Sequence, residues 1–84
     1  MRTLQELGEA VRTARRDLRL KQKDVAAQAG ITPESLLRFE RGQSCEFGSR
    51  KLLAVLAVLG LELAFVKAGT YGTLDELKRE RGGQ

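Results

Sequence analysis

Six basic side chains, Arg12, Arg15, Arg16, Arg19, Lys21 and Lys23, fall within twelve residues, and Arg38, Arg41, Arg50 and Lys51 follow. Guanidinium and ammonium groups gathered on one face attract phosphate backbones and displace their counter-ions. The same groups spread around a solvated helix would serve only solubility. The overall excess is modest, because fifteen Lys and Arg oppose eleven Asp and Glu for a net charge of +4. The clustering, rather than the total, points to a polyanionic partner. Other chemistry lacks its parts. With no His, the usual general base at neutral pH is missing. Cys45 has no His partner, no Cys/His cluster exists to hold a metal, and the glycines are scattered or terminal rather than grouped in a phosphate loop. The sequence therefore predicts a protein that is not an enzyme and takes no metal or cofactor.

The elements that must position the basic groups can be read from caps and periodicity. Thr3-Leu4-Gln5-Glu6 is a capping box, and Leu4, Leu7, Val11, Ala14 and Leu18 follow at helical spacing, which predicts a first helix over 4–18. A second is expected over 22–28, with Val25, Ala26 and Ala29 inward and Gly30 ending it. Thr32 is a good N-cap, Pro33 suits the first helical position and Glu34 complements the positive helix end, so a third helix starts there, buries Leu36 and Phe39, and stops at Gly42. A polar loop over 43–47 leads to a fourth helix over 49–59, ended by Gly60. Its Leu52, Leu53, Val55, Leu56, Val58 and Leu59 lie almost all round and need cover on more than one side. Residues 61–67 partly alternate between Gly60 and Gly69 and read as a short strand. A connector over 68–72, containing Tyr71 as a packing or linker residue, precedes a second capping box at Thr73–Glu76 and a short charged helix to about Arg81.

The informative unit is 22–42: two short helices joined by the tight turn Ala29-Gly30-Ile31-Thr32, the second beginning with a small polar cap and ending in a basic turn. Such a pair can lay its second helix in a major groove. Here Leu7-Gly8-Glu9-Ala10-Val11-Arg12, Lys21-Gln22-Lys23-Asp24-Val25-Ala26, Ile31-Thr32 and Phe39-Glu40-Arg41-Gly42 resemble the lambda-repressor/Cro-type (XRE) helix-turn-helix family over about residues 4–60. The resemblance implies that Gln22 opens the second helix and contacts a DNA phosphate, that Pro33, Glu34, Ser35 and Arg38 face the groove, and that Arg15 pairs with Glu40. With these, Lys21, Lys23, Thr32, Arg41, Gln43 and Ser44 complete the candidate DNA face. Two departures stand out. Lys21 replaces the usual Ser or Thr before Gln22, which weakens the cap while offering a cation to phosphate. Pro33 and Glu34 replace more usual polar or basic groove residues; Glu34 can accept from a cytosine amine or repel phosphate.

The fourth helix running into Leu61-Glu62-Leu63-Ala64-Phe65-Val66 is similar to HipB-type antitoxins, in which the strand of each protomer pairs with its mate. That similarity implies a homodimer held by Leu61, Leu63, Ala64, Phe65 and Val66, and a HipA-like kinase toxin as a further partner. A lone strand leaves unpaired backbone groups, and so short a domain gains from association. The expectation is an all-α fold: a four-helix repressor-type domain with a short C-terminal dimerising β-strand, together spanning 1–68, then a connector and short helix over 69–84. No apolar run is long enough to span a membrane and no signal-peptide core opens the chain, so the cytoplasm is expected, in keeping with a single unpaired cysteine. The expected function is a sequence-specific repressor of double-stranded DNA, as an antitoxin or standing alone. The alternative of another class is an interaction module that has lost DNA binding.

Overall fold

The computed structural model describes residues 3–44 and 46–68. Within them lie four helices: α1 (Leu4–Asp17), α2 (Gln22–Ala29), α3 (Pro33–Glu40) and α4 (Ser49–Val58). Each bound falls within about a residue of the expectation. Cys45, the connector, Tyr71 and the helix expected over 73–81 lie outside the described residues.

The caps work as their chemistry requires. The Thr3 hydroxyl accepts from the Glu6 N–H at 3.0 Å, and the Thr32 hydroxyl accepts from the Ser35 N–H at 3.1 Å. Lys21 and Gly48 cap α2 and α4 with no side-chain bond, so those two starts depend on backbone bonds and on contacts with other elements. After α1 the chain turns at Arg19, whose φ is +58°. The Arg19 N–H donates to Arg16 O at 2.9 Å and the Leu20 N–H to Arg15 O at 3.1 Å. This is the hydrogen-bond pair that glycine usually supplies at a helix end. The turn corrects one expectation. Leu18, read as the last residue of the inward stripe, is the C-cap of α1 and half exposed. The reversal at Arg19 carries Leu20 onto the core in its place.

Val11, Val25, Ala26, Leu36, Phe39, Val55, Leu56 and Leu59 form the core, one or more from each helix or its cap. Phe47, in the loop expected to be polar, stacks on Phe39 with ring centroids 4.0 Å apart and closes the core over that loop. Gly8 sets the approach of α1 to α3: a Cβ there would lie 2.0 Å from Phe39 O. Helix α4 and its cap bury Val55, Leu56 and Leu59 and lay Leu52 and Val58 partly against the core, while Leu53 is half exposed, so the cover expected all round is incomplete within one protomer. Residues 61–67 form no strand, and every residue from 61 to 68 is exposed. Among the described residues there is no second strand to complete a ladder, so the alternating pattern has nothing to pair with inside one protomer. No helix of the described residues is long and apolar enough to cross a membrane.

Candidate nucleic-acid interface

The α2–turn–α3 unit is held to α1 by one buried polar network. The Glu40 carboxylate, at the end of α3, has no exposed surface, and the Arg15 side chain is nearly as deep. Arg15 Nε donates to Glu40 Oε2 at 2.8 Å and Nη2 to Oε1 at 2.9 Å, a bidentate fork. Arg15 Nη1 donates to Leu20 O at 2.8 Å, tying the α1–α2 turn to the same guanidinium. Gln22, the first residue of α2, donates from Nε2 to Glu40 Oε1 at 2.9 Å. Three helices and a turn thus converge on the Arg15–Glu40 pair, and no buried side-chain nitrogen or oxygen among the described residues lacks a partner. Satisfied in this way, the network fixes the angle between α2 and α3.

Above that pair the surface opens into a hollow of about 340 Å³, lined by Arg12, Arg15 and Arg16 of α1, Lys21 and Gln22 at the start of α2, and Leu37, Glu40 and Arg41 at the end of α3. Because Arg15 and Glu40 neutralise each other, the walls carry the charge of Arg12, Arg16, Lys21 and Arg41, all exposed. A second hollow, of about 270 Å³, lies at the other end of α3 among Thr32, Glu34, Ser35, Arg38, Ser44 and Glu46. Its chemistry is mixed: one guanidinium among two carboxylates and three hydroxyls. The first hollow offers cations to phosphate. The second offers a donor fork and several acceptors, the equipment for reading base edges.

A family model described as a helix-turn-helix domain matches residues 6–65. The chain belongs to the helix-turn-helix domain family. No curated protein matches it. The match covers α2, α3 and α4 whole and α1 from its third residue, and this helix-turn-helix protein is accordingly a DNA-binding protein, built on the all-α frame that its sequence implies.

The candidate DNA residues divide between the two hollows. Lys21, Gln22 and Arg41 come together in the first, and Thr32, Glu34, Ser35, Arg38 and Ser44 in the second. Lys23, Pro33 and Gln43 are exposed but line neither. Gln22 is only partly available, since one of its two amide N–H groups is used by Glu40. The pair that the family resemblance implies between Arg15 and Glu40 is present. Reasoning from the sequence missed Arg12 and Arg16 as site residues, although both stood in the basic cluster. Their helical positions three before and one after Arg15 were the available signal. Glu46 carried no signal, because its place in the same hollow as Arg38 is a matter of tertiary packing rather than of local spacing. Leu61, Leu63 and Ala64 line an apolar groove of about 220 Å³ with Leu7, Ala10, Val11, Leu56 and Glu62, whereas Phe65 is fully exposed and Val66 nearly so.

Proposed function

We propose that this helix-turn-helix protein is a sequence-specific transcriptional repressor of the lambda-repressor/Cro (XRE) type that binds double-stranded operator DNA as a homodimer. On this reading it is HipB-like, acts as the antitoxin of a HipA-like kinase toxin, represses its own operon, and catalyses no reaction. The observation that carries the DNA reading is the pairing of the two hollows along α3: unpaired cations at one end, and Arg38 among hydroxyls and carboxylates at the other. Recognition of duplex DNA needs both, because phosphate contacts orient the protein and base contacts select the sequence.

The dimer reading is supported by apolar surface that one protomer leaves in water. Leu53 on α4 and Leu61, Leu63, Phe65 and Val66 beyond it are all at least 45% exposed. A second copy pairing its own residues 61–66 along this segment would cover that surface and satisfy the backbone groups. Two recognition helices could then be set about one DNA turn, ~34 Å, apart. The toxin partnership rests on the HipB resemblance of the same segment.

A second reading has one observation in its favour. Glu34 and Glu46 flank Arg38, and two carboxylates near a phosphate backbone oppose binding. A hollow in which carboxylates outnumber the one guanidinium suits an interaction module that no longer binds DNA. Titration of the protein by fluorescence anisotropy against a pool of randomised 20-base-pair duplexes at low salt separates the two, followed by selection of the tightest sequences. A repressor binds the pool, weakens steeply with salt, and enriches a defined site. Arg38→Ala then weakens that site by about 1–3 kcal/mol and relaxes preference at one or two positions. No binding to any duplex would leave the interaction module. A HipA-like kinase encoded beside this protein should lose its toxicity when the two are co-expressed. Continued toxicity would leave a repressor that stands alone.

A further inference from the structure

The cationic hollow extends past the α2–α3 unit. Half of its unpaired positive charge, Arg12 and Arg16, comes from α1, which the helix-turn-helix pattern treats as scaffold. We propose that α1 is itself a DNA-contacting element, with Arg12 and Arg16 gripping neighbouring backbone phosphates opposite Lys21 and Arg41. The proposal rests on the DNA-binding reading and adds a third contact surface to it.

Three observations carry it. First, the cations converge without counter-charge: among the described residues none of the four forms an ion pair, and the carboxylate in the wall belongs to Arg15. Like charges at positions i and i+4 of a helix repel only weakly, and Arg16 in the last turn is favoured by the helix dipole, so α1 holds both cations side by side and an anion between them relieves their repulsion. Second, the spacing suits a strand. Residues four apart on a helix are separated by about 6 Å along its axis, and successive phosphates of one strand rise ~3.4 Å along the duplex axis. Because the strand winds around that axis, its phosphates lie farther apart than this along the backbone, so each guanidinium can meet its own phosphate. Third, the walls are guanidinium, ammonium, amide and the one carboxylate already bound by Arg15, with Leu37 as the one aliphatic side chain. Such a lining offers a phosphodiester its donors and offers a base or other ring no apolar face to stack on.

The test is a salt series. Arg12 and Arg16 are exposed and make no hydrogen bond to another side chain among the described residues, so the double variant Arg12→Gln/Arg16→Gln should melt like the parent. Each phosphate contact contributes about 0.9 to the slope of log K against log salt, so the variant should lose about 1.8 in slope per protomer. At 0.1 M salt that corresponds to about 60-fold weaker binding, and the loss should be equal for selected and random 20-base-pair duplexes. A charge-matched control, Lys67→Gln/Arg79→Gln, changes two cations outside the basic cluster and the candidate DNA residues and should retain the parental slope. Inorganic pyrophosphate, the probe for a free anion, should not displace DNA from the parent at micromolar concentration. The inference is overturned if the parent binds duplex and the double variant keeps its slope. It is equally overturned if the control loses as much, which would reduce the effect to net charge, or if pyrophosphate displaces DNA from the parent but not from the variant, which would make the hollow a receptor for a free anion. A parent that binds no duplex at any salt would instead remove the DNA reading beneath it.

Discussion

Arg15→Ala is the most informative single change to the fold. The substitution removes the bidentate fork from Glu40 and the donor to Leu20 O, and it leaves the carboxylate with Gln22 Nε2 alone. The Glu40 side chain has no exposed surface while Arg15 covers it, and water entering from the adjoining hollow replaces the lost donors only in part. Breaking one side of a buried pair costs about 3–5 kcal/mol, against ~0–1 for an exposed pair. A chain of this length holds roughly 4–13 kcal/mol in all, so the loss consumes a large share of it. At roughly 4–8 °C per kcal/mol for a domain of this size, the midpoint should fall by about 12–40 °C. The assay is thermal and urea unfolding followed by circular dichroism. A second arm isolates the pair from the space it fills. Arg15→Met/Glu40→Leu removes both charges together and should cost clearly less than the sum of the single changes, because neither charge is stranded. Leu20 O still loses a donor, so a residual cost of about 1–3 kcal/mol is expected. A loss below about 1 kcal/mol for Arg15→Ala, or strict additivity in the cycle, would refute the argument that this network is buried and coupled.

Gly8→Ala should destabilise the fold by about 1–3 kcal/mol in the same melts, although alanine is the better helix former, because the new methyl meets the backbone of α3 rather than a side chain that can move. Lys21→Ser should act in opposite directions in two assays: it supplies the missing side-chain cap of α2 and raises stability by about 0.5–2 kcal/mol, while it removes a cation from the hollow and weakens duplex binding at low salt. Ala64→Pro, which removes a backbone donor from the segment assigned to pairing between protomers, should convert the dimer to monomer in sedimentation and lower affinity for a two-half-site operator far more than for a single half-site.

Local sequence chemistry determined the helices. Thr3, Thr32 and Pro33 mark starts, Gly30, Gly42 and Gly60 mark ends, and the apolar positions Val11, Val25, Leu36 and Phe39 face inward as their spacing requires. These signals act between residues a few positions apart, so the chain carries them before any long-range contact forms. The DNA face was legible in part for the same reason, because α2, the turn and α3 are continuous in sequence. Other features depended on which surfaces meet. Gly8 is an ordinary weak point of a helix until α3 lies against it. Leu18 looked like core until Arg19 reversed the chain and delivered Leu20 in its place. Phe47 became a core residue by stacking on Phe39, and Glu46 came to lie beside Arg38 through the same loop. The division of charge into one cationic hollow and one mixed hollow also arises between elements: its walls come from α1, α2 and α3, and from α3 and the following loop. The sequence by itself determined where each helix begins and ends and, for the three helices before α4, which side turns inward, since those are short-range preferences. Only the tertiary structure decided which polar side chains share a surface, since that depends on the packing of residues such as Arg15 and Glu40, twenty-five positions apart.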